Sequence, residues 1–336
     1  MARTLRIVGI SMIRNDADIV EAFVRHTLRL LDHLFVIVHC PEDGTDEILG
    51  ALGAEGLPMT LVIDDEPAYL QAERLTWLAR RAHAALPSDF VFVLDADEFL
   101  VPDERQSIEA ALGSLPPDVP AARLAWRTFV PTAEDAPGEI NPLRRIRHRL
   151  RDEATIEKVV LTRAFADDPA LVLDQGSHGL LRIGAPAARL PLPALAGIGL
   201  AHYPVRSAAQ IANKTILGYL ALLAAGRPHA EERSLATHWR RCYEDMVLRG
   251  ATQGMSEQQM VAWFHGRQVQ WRRDDFVCDP TRAPDELRYA HLVRNDSYAT
   301  LARFAEHVIR KRPAELNRMR FERPFRPGAP TGRFRP

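Results

Sequence analysis

Apolar residues fall in short unbroken runs, separated by longer stretches where they recur every three or four positions. Leu5 to Ile13, Leu34 to Val38, Met59 to Ile63 and Phe90 to Leu94 are the runs. They are rich in β-branched and aromatic side chains and too short for helices, so each reads as a buried strand. Between the first two, Ile19, Phe23 and Leu30 keep a helical period with Val20, Val24, Leu28 and Leu31 alongside, and Asn15-Asp16 offer an N-cap. Thr45 is placed to cap a short helix from Asp46 to Leu52. A longer helix is expected from about Tyr69 to Leu86, stopped by Pro87-Ser88-Asp89. Strand–helix alternation of this kind predicts an α/β fold, with a mainly parallel, Rossmann-like sheet and right-handed crossovers that place helices on both faces. The polar loops after the four strands, Arg14 to Asp16, His39 to Thr45, Asp64 to Glu66 and Asp95 to Glu98, then share one edge. Ligands of open α/β sheets bind along that edge.

Beyond residue 100 the pattern changes. Ser107 to Leu115 reads as a short helix, and Arg123 to Val130, Ile156 to Phe165, Ala170 to Asp174, Gly179 to Ile183 and Gly197 to Tyr203 as shorter strands. From Ser207 the period turns helical, over Ser207 to Ala225, Glu231 to Arg249, Ser256 to Gly266 and roughly Ser297 to Lys311. The expected organisation is an α/β domain over 1–206, a helical C-terminal extension over 207–312 and a flexible Pro- and Arg-rich tail over 313–336.

Composition narrows the functional classes. The 336 residues are 46% hydrophobic with a formal net charge of −1, enough material for a core and no overall field to draw nucleic acid. Three scattered cysteines, Cys40, Cys242 and Cys278, give neither a disulfide framework nor a zinc spacing, which makes a reducing cytoplasm the default. No apolar run reaches the roughly 18 residues of a membrane span. The arginine run from Arg144 to Arg151 reads either as a solvated face or as a contact for an anionic acceptor or a phospholipid surface.

The chemistry concentrates in Asp95-Ala96-Asp97-Glu98. Carboxylates two apart at a strand end can turn toward one point, and a buried strand that runs into three acids needs a positive partner. A Mg²⁺ or Mn²⁺ ion with open positions for a diphosphate would supply it. The plain alternative is a solvated acidic loop. His202 stands at another strand end, before a proline-bounded turn into a helix, where it could complete a metal site. Arg206 and Lys214, near the start of that helix, are candidate clamps for phosphate oxygens. Read alone, the three are more simply a buried histidine and two surface cations. His178, flanked by glycines, suits a sugar pocket or an ordinary turn. Asp97, Glu98 and Asp174 are the candidate catalytic carboxylates, with no residue singled out as base.

Together the motifs resemble a family. Ile13-Arg14-Asn15-Asp16-Ala17-Asp18-Ile19-Val20-Glu21, Asp32-His33-Leu34, Glu42-Asp43-Gly44-Thr45 and Leu94-Asp95-Ala96-Asp97-Glu98-Phe99-Leu100 resemble family 2 type glycosyltransferases. The likeness is to the bacterial branch with an N-terminal K-N-E-x-D/A-I-I-E-E segment and a D-A-D-E-F motif. His202, Arg206, Ser207, Gln210 and Lys214 are similar to that branch's H-x-x-x-R-S-x-x-Q-x-x-x-K segment. The resemblance spans about residues 5 to 101 and 198 to 218.

It implies a GT-A fold and a metal-dependent transfer of sugar from a nucleotide-sugar donor, UDP-linked in preference to GDP-linked, to a glycan or lipid-linked acceptor. Cell-surface polysaccharide synthesis, with peripheral contact at the inner face of the membrane, is the implied setting. By position Asp97 would ligate the metal, Asp95 would meet the ribose or the metal through water, and His202 would be a further ligand. Asn15, Asp16 and Asp64 would lie near the nucleoside. The chain departs from the family at the end of the second strand, where His39 replaces an acid of the D-x-x-S-x-D-G-T pattern and stands to stack on or hydrogen-bond to the base. A nucleotidyltransferase would want a Gly-rich basic loop after the first strand, which Gly9 to Asn15 does not supply. An inactive glycan- or nucleotide-binding module is the alternative from outside the enzymes.

Overall fold

The computed structural model describes residues 5–311 apart from 117, 137, 153–155, 185–187, 227–236, 265–272 and 295. The expected 313–336 tail and parts of two expected helices, 231–236 and 265–266, lie outside the described residues.

Strands β1 (Ile7–Ile13), β2 (His33–His39), β3 (Met59–Asp64) and β4 (Phe90–Val93) run parallel in the order β3-β2-β1-β4. They are joined through α1 (Val20–Leu30), α2 (Thr45–Ala54) and α3 (Gln71–Ala85). Successive side chains of a strand point to opposite faces, so a strand buried on both sides feeds two cores. Ile7 and Ile13 of β1, with Leu34, Val36 and Val38 of β2, join the core under α1 and α2. Val8, Ile10 and Met12, with Phe35 and Ile37, join the core under α3, where Leu75, Leu78, Ala79 and Ala82 pack. Helices therefore cover both faces, as the alternation predicts.

The chain then continues through β5 (Glu98–Val101), α4 (Arg105–Gly113), β6 (Ala121–Val130), α5 (Pro142–Arg145), β7 (His148–Leu150) and β8 (Glu157–Thr162). After α6 (Arg163–Asp167) come β9 (Leu171–Leu173), β10 (Leu180–Arg182), β11 (Ala188–Arg189), β12 (Gly199–His202), α7 (Ala208–Ala224) and, later, β13 (Phe276–Cys278). Antiparallel β8 joins β4 to β6, and β7 and β13 extend that side. Strand β12 pairs with β6 and with β5, while β9, β10 and β11 form a separate small sheet.

Several local expectations are corrected. The strand expected over 156–165 stops at Thr162, whose hydroxyl accepts from the Ala164 amide at 3.2 Å and caps α6. Asp16 does not cap α1 with its side chain; its carbonyl accepts from the Ile19 and Val20 amides, and its carboxylate is used elsewhere. Thr45 is itself the first residue of α2, with its hydroxyl accepting from the Asp16 amide and donating to Asp43. Glu98 is the first residue of β5 rather than part of a loop.

The arginine run is partly a solvated face, with Arg144, Arg147 and Arg151 exposed, but four of its guanidinium groups are also tied to other parts of the chain. Arg144 donates to the Pro284 carbonyl, Arg145 to the Arg206 carbonyl, Arg149 to Asp279 and Arg151 to the Asp274 carbonyl. Four guanidinium groups thus fasten the end of α5 and the strand after it to α7's approach and to a late segment of the chain. That late segment continues across the N-terminal half. The Arg288 and Tyr289 amides donate to the Glu21 carboxylate at 2.9 and 2.8 Å, and the Arg294 amide to the Asp43 carbonyl at 2.9 Å. In the Ser297–Lys311 helix, Arg303 donates to the Glu42 carbonyl and Phe304 lies buried under the Arg14 guanidinium. No helix among the described residues is long and apolar enough to cross a membrane.

Candidate functional site

Register brings the site together. The Leu94 amide still donates to Ile10 at the end of β4, and the chain then turns through Asp95-Ala96-Asp97, closed by the Glu98 amide donating to the Asp95 carbonyl at 3.1 Å. It re-enters the sheet as β5, antiparallel to β12, with Glu98 opposite His202 and Phe99 opposite Ala201. The Tyr203 amide donates to the Asp97 carbonyl at 2.8 Å, locking the two segments. Asp97, Glu98 and His202 consequently offer ligand atoms that all lie within 4.8 Å of one another. The His202 ring lies against Trp126 of β6, centroids 4.2 Å apart, which fixes its plane.

Five carboxylates crowd this spot, Asp16, Asp18, Asp95, Asp97 and Glu98, and three permanent cations face them. Lys158, from β8 and almost fully buried, donates to Asp95 at 2.7 Å and lies 3.4 Å from Glu98. Arg206, with no exposed surface, forks onto both oxygens of Asp18 and reaches Asp16 at 2.8 Å. Lys214 of α7 donates to Asp97 at 2.7 Å. With all five carboxylates ionised the cluster would be two positive charges short of balance, a gap that either one divalent cation or protonation of two of the acids closes.

Protonation follows from that balance. Burial pushes the Glu98 carboxyl well above the carboxylate range although Lys158 opposes it. Burial likewise lifts Asp16 to about 7 against the pull of Arg206. Burial would also raise Asp97, but Lys214, His202 and Arg206 surround it closely enough to hold it below the usual range. Burial drives His202 down to about 4 despite Asp97, so its imidazole is neutral and able to ligate. Glu98 Oε1 and His202 Nδ1 are buried without a hydrogen-bond partner. Neutral imidazole, buried carboxylates and a carboxylate oxygen without a hydrogen bond form a donor set suited to Mg²⁺ or Mn²⁺.

The site opens on a cleft at the carboxyl edge of the parallel strands. Asn15, Asp16, His39, Asp95, Asp97, His202 and Lys214 all line it, together with Arg14, Tyr69, Gln71, Asn213, Gly218 and Trp239. Asp64, Glu98, Asp174 and Arg206 stand outside that lining. Asp64 accepts from Arg74 and from the Glu66 amide. Asp174 accepts from the Gly179 amide at 2.7 Å and pairs with Arg189 at 2.8 Å. Arg206 is consumed by Asp16, Asp18 and the Tyr203 carbonyl, so it braces the β1–α1 loop rather than facing the cleft. His39 donates from Nε2 to the Glu66 carbonyl at 2.7 Å, and burial keeps it neutral, down to about 4. His178 uses Nδ1 on the Glu157 carbonyl and packs edge-on against Trp126.

Four contributors are not among the candidate site residues, although Asp18, Glu42 and Asp43 lie within the stretches that carry the family resemblance. Lys158 stands alone beside the apolar run Val159-Val160-Leu161, and a lone lysine within an expected strand is the signal available for it. Asp18 holds the Arg206 fork. Glu42 accepts from Arg14 and Asn15 at 2.7 Å each, and Asp43 accepts from the Ala17 amide at 2.9 Å. The residues after His39 therefore organise the loop Arg14 to Ala17 from beneath.

No family model matches the chain, and no curated protein does either. Among solved structures it is similar to the mannosyltransferase PcManGT from Pyrobaculum calidifontis in complex with GDP-Man and Mn²⁺. The identity is 14%, over 92% of this chain and 89% of that one, with a TM-score of 0.38. It is also similar to S. aureus TarS 1-349 in complex with UDP, at 10% identity over 77% of this chain and 78% of that one, with a TM-score of 0.34. A third similarity is to CMP:2-keto-3-deoxy-manno-octonic acid synthetase complexed with CTP, at 12% identity over 48% of this chain and 76% of that one, TM-score 0.29.

Proposed function

We propose that this chain is a metal-dependent glycosyltransferase of GT-A type, moving a sugar from a nucleoside-diphosphate sugar to a hydroxyl of a glycan or lipid-linked acceptor. The observation that carries this reading is the juxtaposition of Asp97 and Glu98 with His202, made by β5 and β12 at the head of a cleft on the ligand edge of the sheet. A Mg²⁺ or Mn²⁺ ion held there supplies positive charge to the leaving diphosphate. Lys214, with a side chain 29% exposed in the cleft, is the most exposed of the three cations and is the one placed to meet the same phosphate oxygens. Asn15, Asp16 and His39 line the β1–β2 side of the cleft, the side assigned to the nucleoside in this reading. Arg206 acts at one remove, holding Asp16 and Asp18 in position.

A UDP-sugar is the preferred donor in this reading, on the strength of the sequence resemblance. Isothermal titration of UDP- and GDP-sugars with and without Mn²⁺, followed by a transfer and hydrolysis assay, tests it. Binding that requires the metal, followed by sugar release or transfer, supports the reading. Metal-independent binding without turnover would replace it with a nucleotide-binding module.

A further inference from the structure

Asp95 and Asp97 are spaced as a pair, yet the structure treats them differently. Asp97, Glu98 and His202 form one compact set of ligand atoms, and Asp95 is outside it. The reason lies beneath the motif. Lys158 projects from β8 with 1% of its side chain exposed and donates to Asp95 Oδ2 at 2.7 Å. Gln71, at the start of α3, donates to Asp95 Oδ1 at 3.2 Å, and its own carbonyl oxygen is held by the Gly176 amide. Each oxygen of Asp95 therefore already has a donor from a separate, packed element. Glu98 is turned inward, with Oε2 accepting from the Asp95 amide at 2.9 Å and Oε1 without a hydrogen bond, 3.4 Å from the Lys158 ammonium and so held more loosely than Asp95 Oδ2.

We propose that Lys158 is a positioning residue that withholds Asp95 from the cation, so that Glu98 takes its place beside Asp97 and His202 as the third protein ligand. The proposal rests on the metal-dependent reading and deepens it by fixing which carboxylates hold the ion. A lysine pinned between two acids does two things at once. It neutralises Asp95 without a metal, and it keeps that carboxylate, 32% exposed in the cleft, free to receive hydroxyl groups rather than the ion. Burial makes the arrangement rigid, because a lysine in this position has nowhere to place its charge other than between Asp95 and Glu98.

The experiment measures Mn²⁺ binding to the full chain by electron paramagnetic resonance, without nucleotide, and thermal melting of every variant. Asp95→Asn leaves the Mn²⁺ dissociation constant within about two-fold of the parent, whereas Asp97→Asn and Glu98→Gln weaken it about ten-fold or more. Lys158→Met releases Asp95 to the ion and tightens binding, and adding Asp95→Asn to Lys158→Met returns the constant to the parent value. A purely structural lysine would change the melting temperature and leave that reversal absent. Should Lys158→Met fail to fold, Lys158→Gln takes its place in the same cycle with Asp95→Asn, and Asp95→Asn alone still decides whether Asp95 ligates the ion. Loss of Mn²⁺ binding in Asp95→Asn equal to that in Asp97→Asn overturns the proposal and leaves the transferase reading standing. A parent chain that binds neither Mn²⁺ nor Mg²⁺ overturns both.

Discussion

Glu98 and His202 face each other across one rung of an antiparallel pair, β5 against β12, and that rung places the acid-rich turn beside the start of α7. The pairing converts two distant segments into one site, because a one-residue slip in register would turn every side chain of β5 to the opposite face.

Asp97 is the first residue to test. Asp97→Asn keeps the size of the side chain and removes the charge that Lys214, Arg206 and His202 surround. Metal-dependent turnover is expected to fall about a hundred- to a thousand-fold. Steady-state assays across a Mn²⁺ titration measure it. Turnover retained at the parent level would remove the ion from Asp97.

Arg206 is expected to matter for stability before catalysis. Its guanidinium is fully buried and joins Asp16, Asp18 and the Tyr203 carbonyl. Arg206→Met leaves those acids without their partner and should cost about 3–5 kcal/mol. Arg206→Lys recovers only part of that loss, since a single ammonium cannot reproduce the fork. Urea denaturation gives the comparison, and equal stability of the parent and Arg206→Met would contradict it.

Gly44 is fixed by two constraints. Its φ is +99°, and a Cβ there would strike the Leu292 carbonyl oxygen. Gly44→Ala should lose about 1–3 kcal/mol and expose the segment 276–311 to protease. Unchanged melting together with unchanged proteolysis would show that the segment does not depend on this contact.

Stability should fall with pH through a histidine remote from the cleft. His26 has no exposed surface; its Nε2 donates to the Leu100 carbonyl at 3.0 Å and its Nδ1 accepts from Arg29. Burial lowers its pKa from 6.5 to about 4, against the pull of Asp103. The unfolded chain therefore binds more protons between those values. The stability due to neutral His26 is complete above pH 6.5 and is lost as pH falls toward about 4, a change of about 3 kcal/mol. Melting curves of the parent and His26→Gln from pH 7 to 4.5 should converge as the pH drops. A constant gap would count against this origin.

Much of the architecture is legible in the chain because both-face burial leaves a plain mark. Four apolar runs and the helical periods between them give the parallel strands and their crossovers nearly to the residue. What stays hidden depends on contacts between distant segments. Glu98 carries a charge that argues against a strand, yet pairing with His202 makes it one. Asp16 has the residue type of a helix cap, but Arg206, far along the chain, claims its carboxylate. The arginines from 144 to 151 read as a surface patch, and three are exposed, but their partners at 206, 274, 279 and 284 leave no pattern in sequence. In the site itself Asp95, Asp97 and His202 are visible as motifs, whereas Lys158 is one charged residue in an apolar run.

The strap of residues 276–311 bears on how the protein is made. It is joined by hydrogen bonds to Glu21, Glu42 and Asp43, and it packs Phe304 beneath Arg14 at the β1 end of the cleft. A chain growing on the ribosome can close its parallel sheet once β4 has emerged, but Arg14, which lines the cleft, gains its Phe304 backing only when the strap follows. The β1 end of the cleft is therefore braced late in synthesis, after the sheet that carries it has formed.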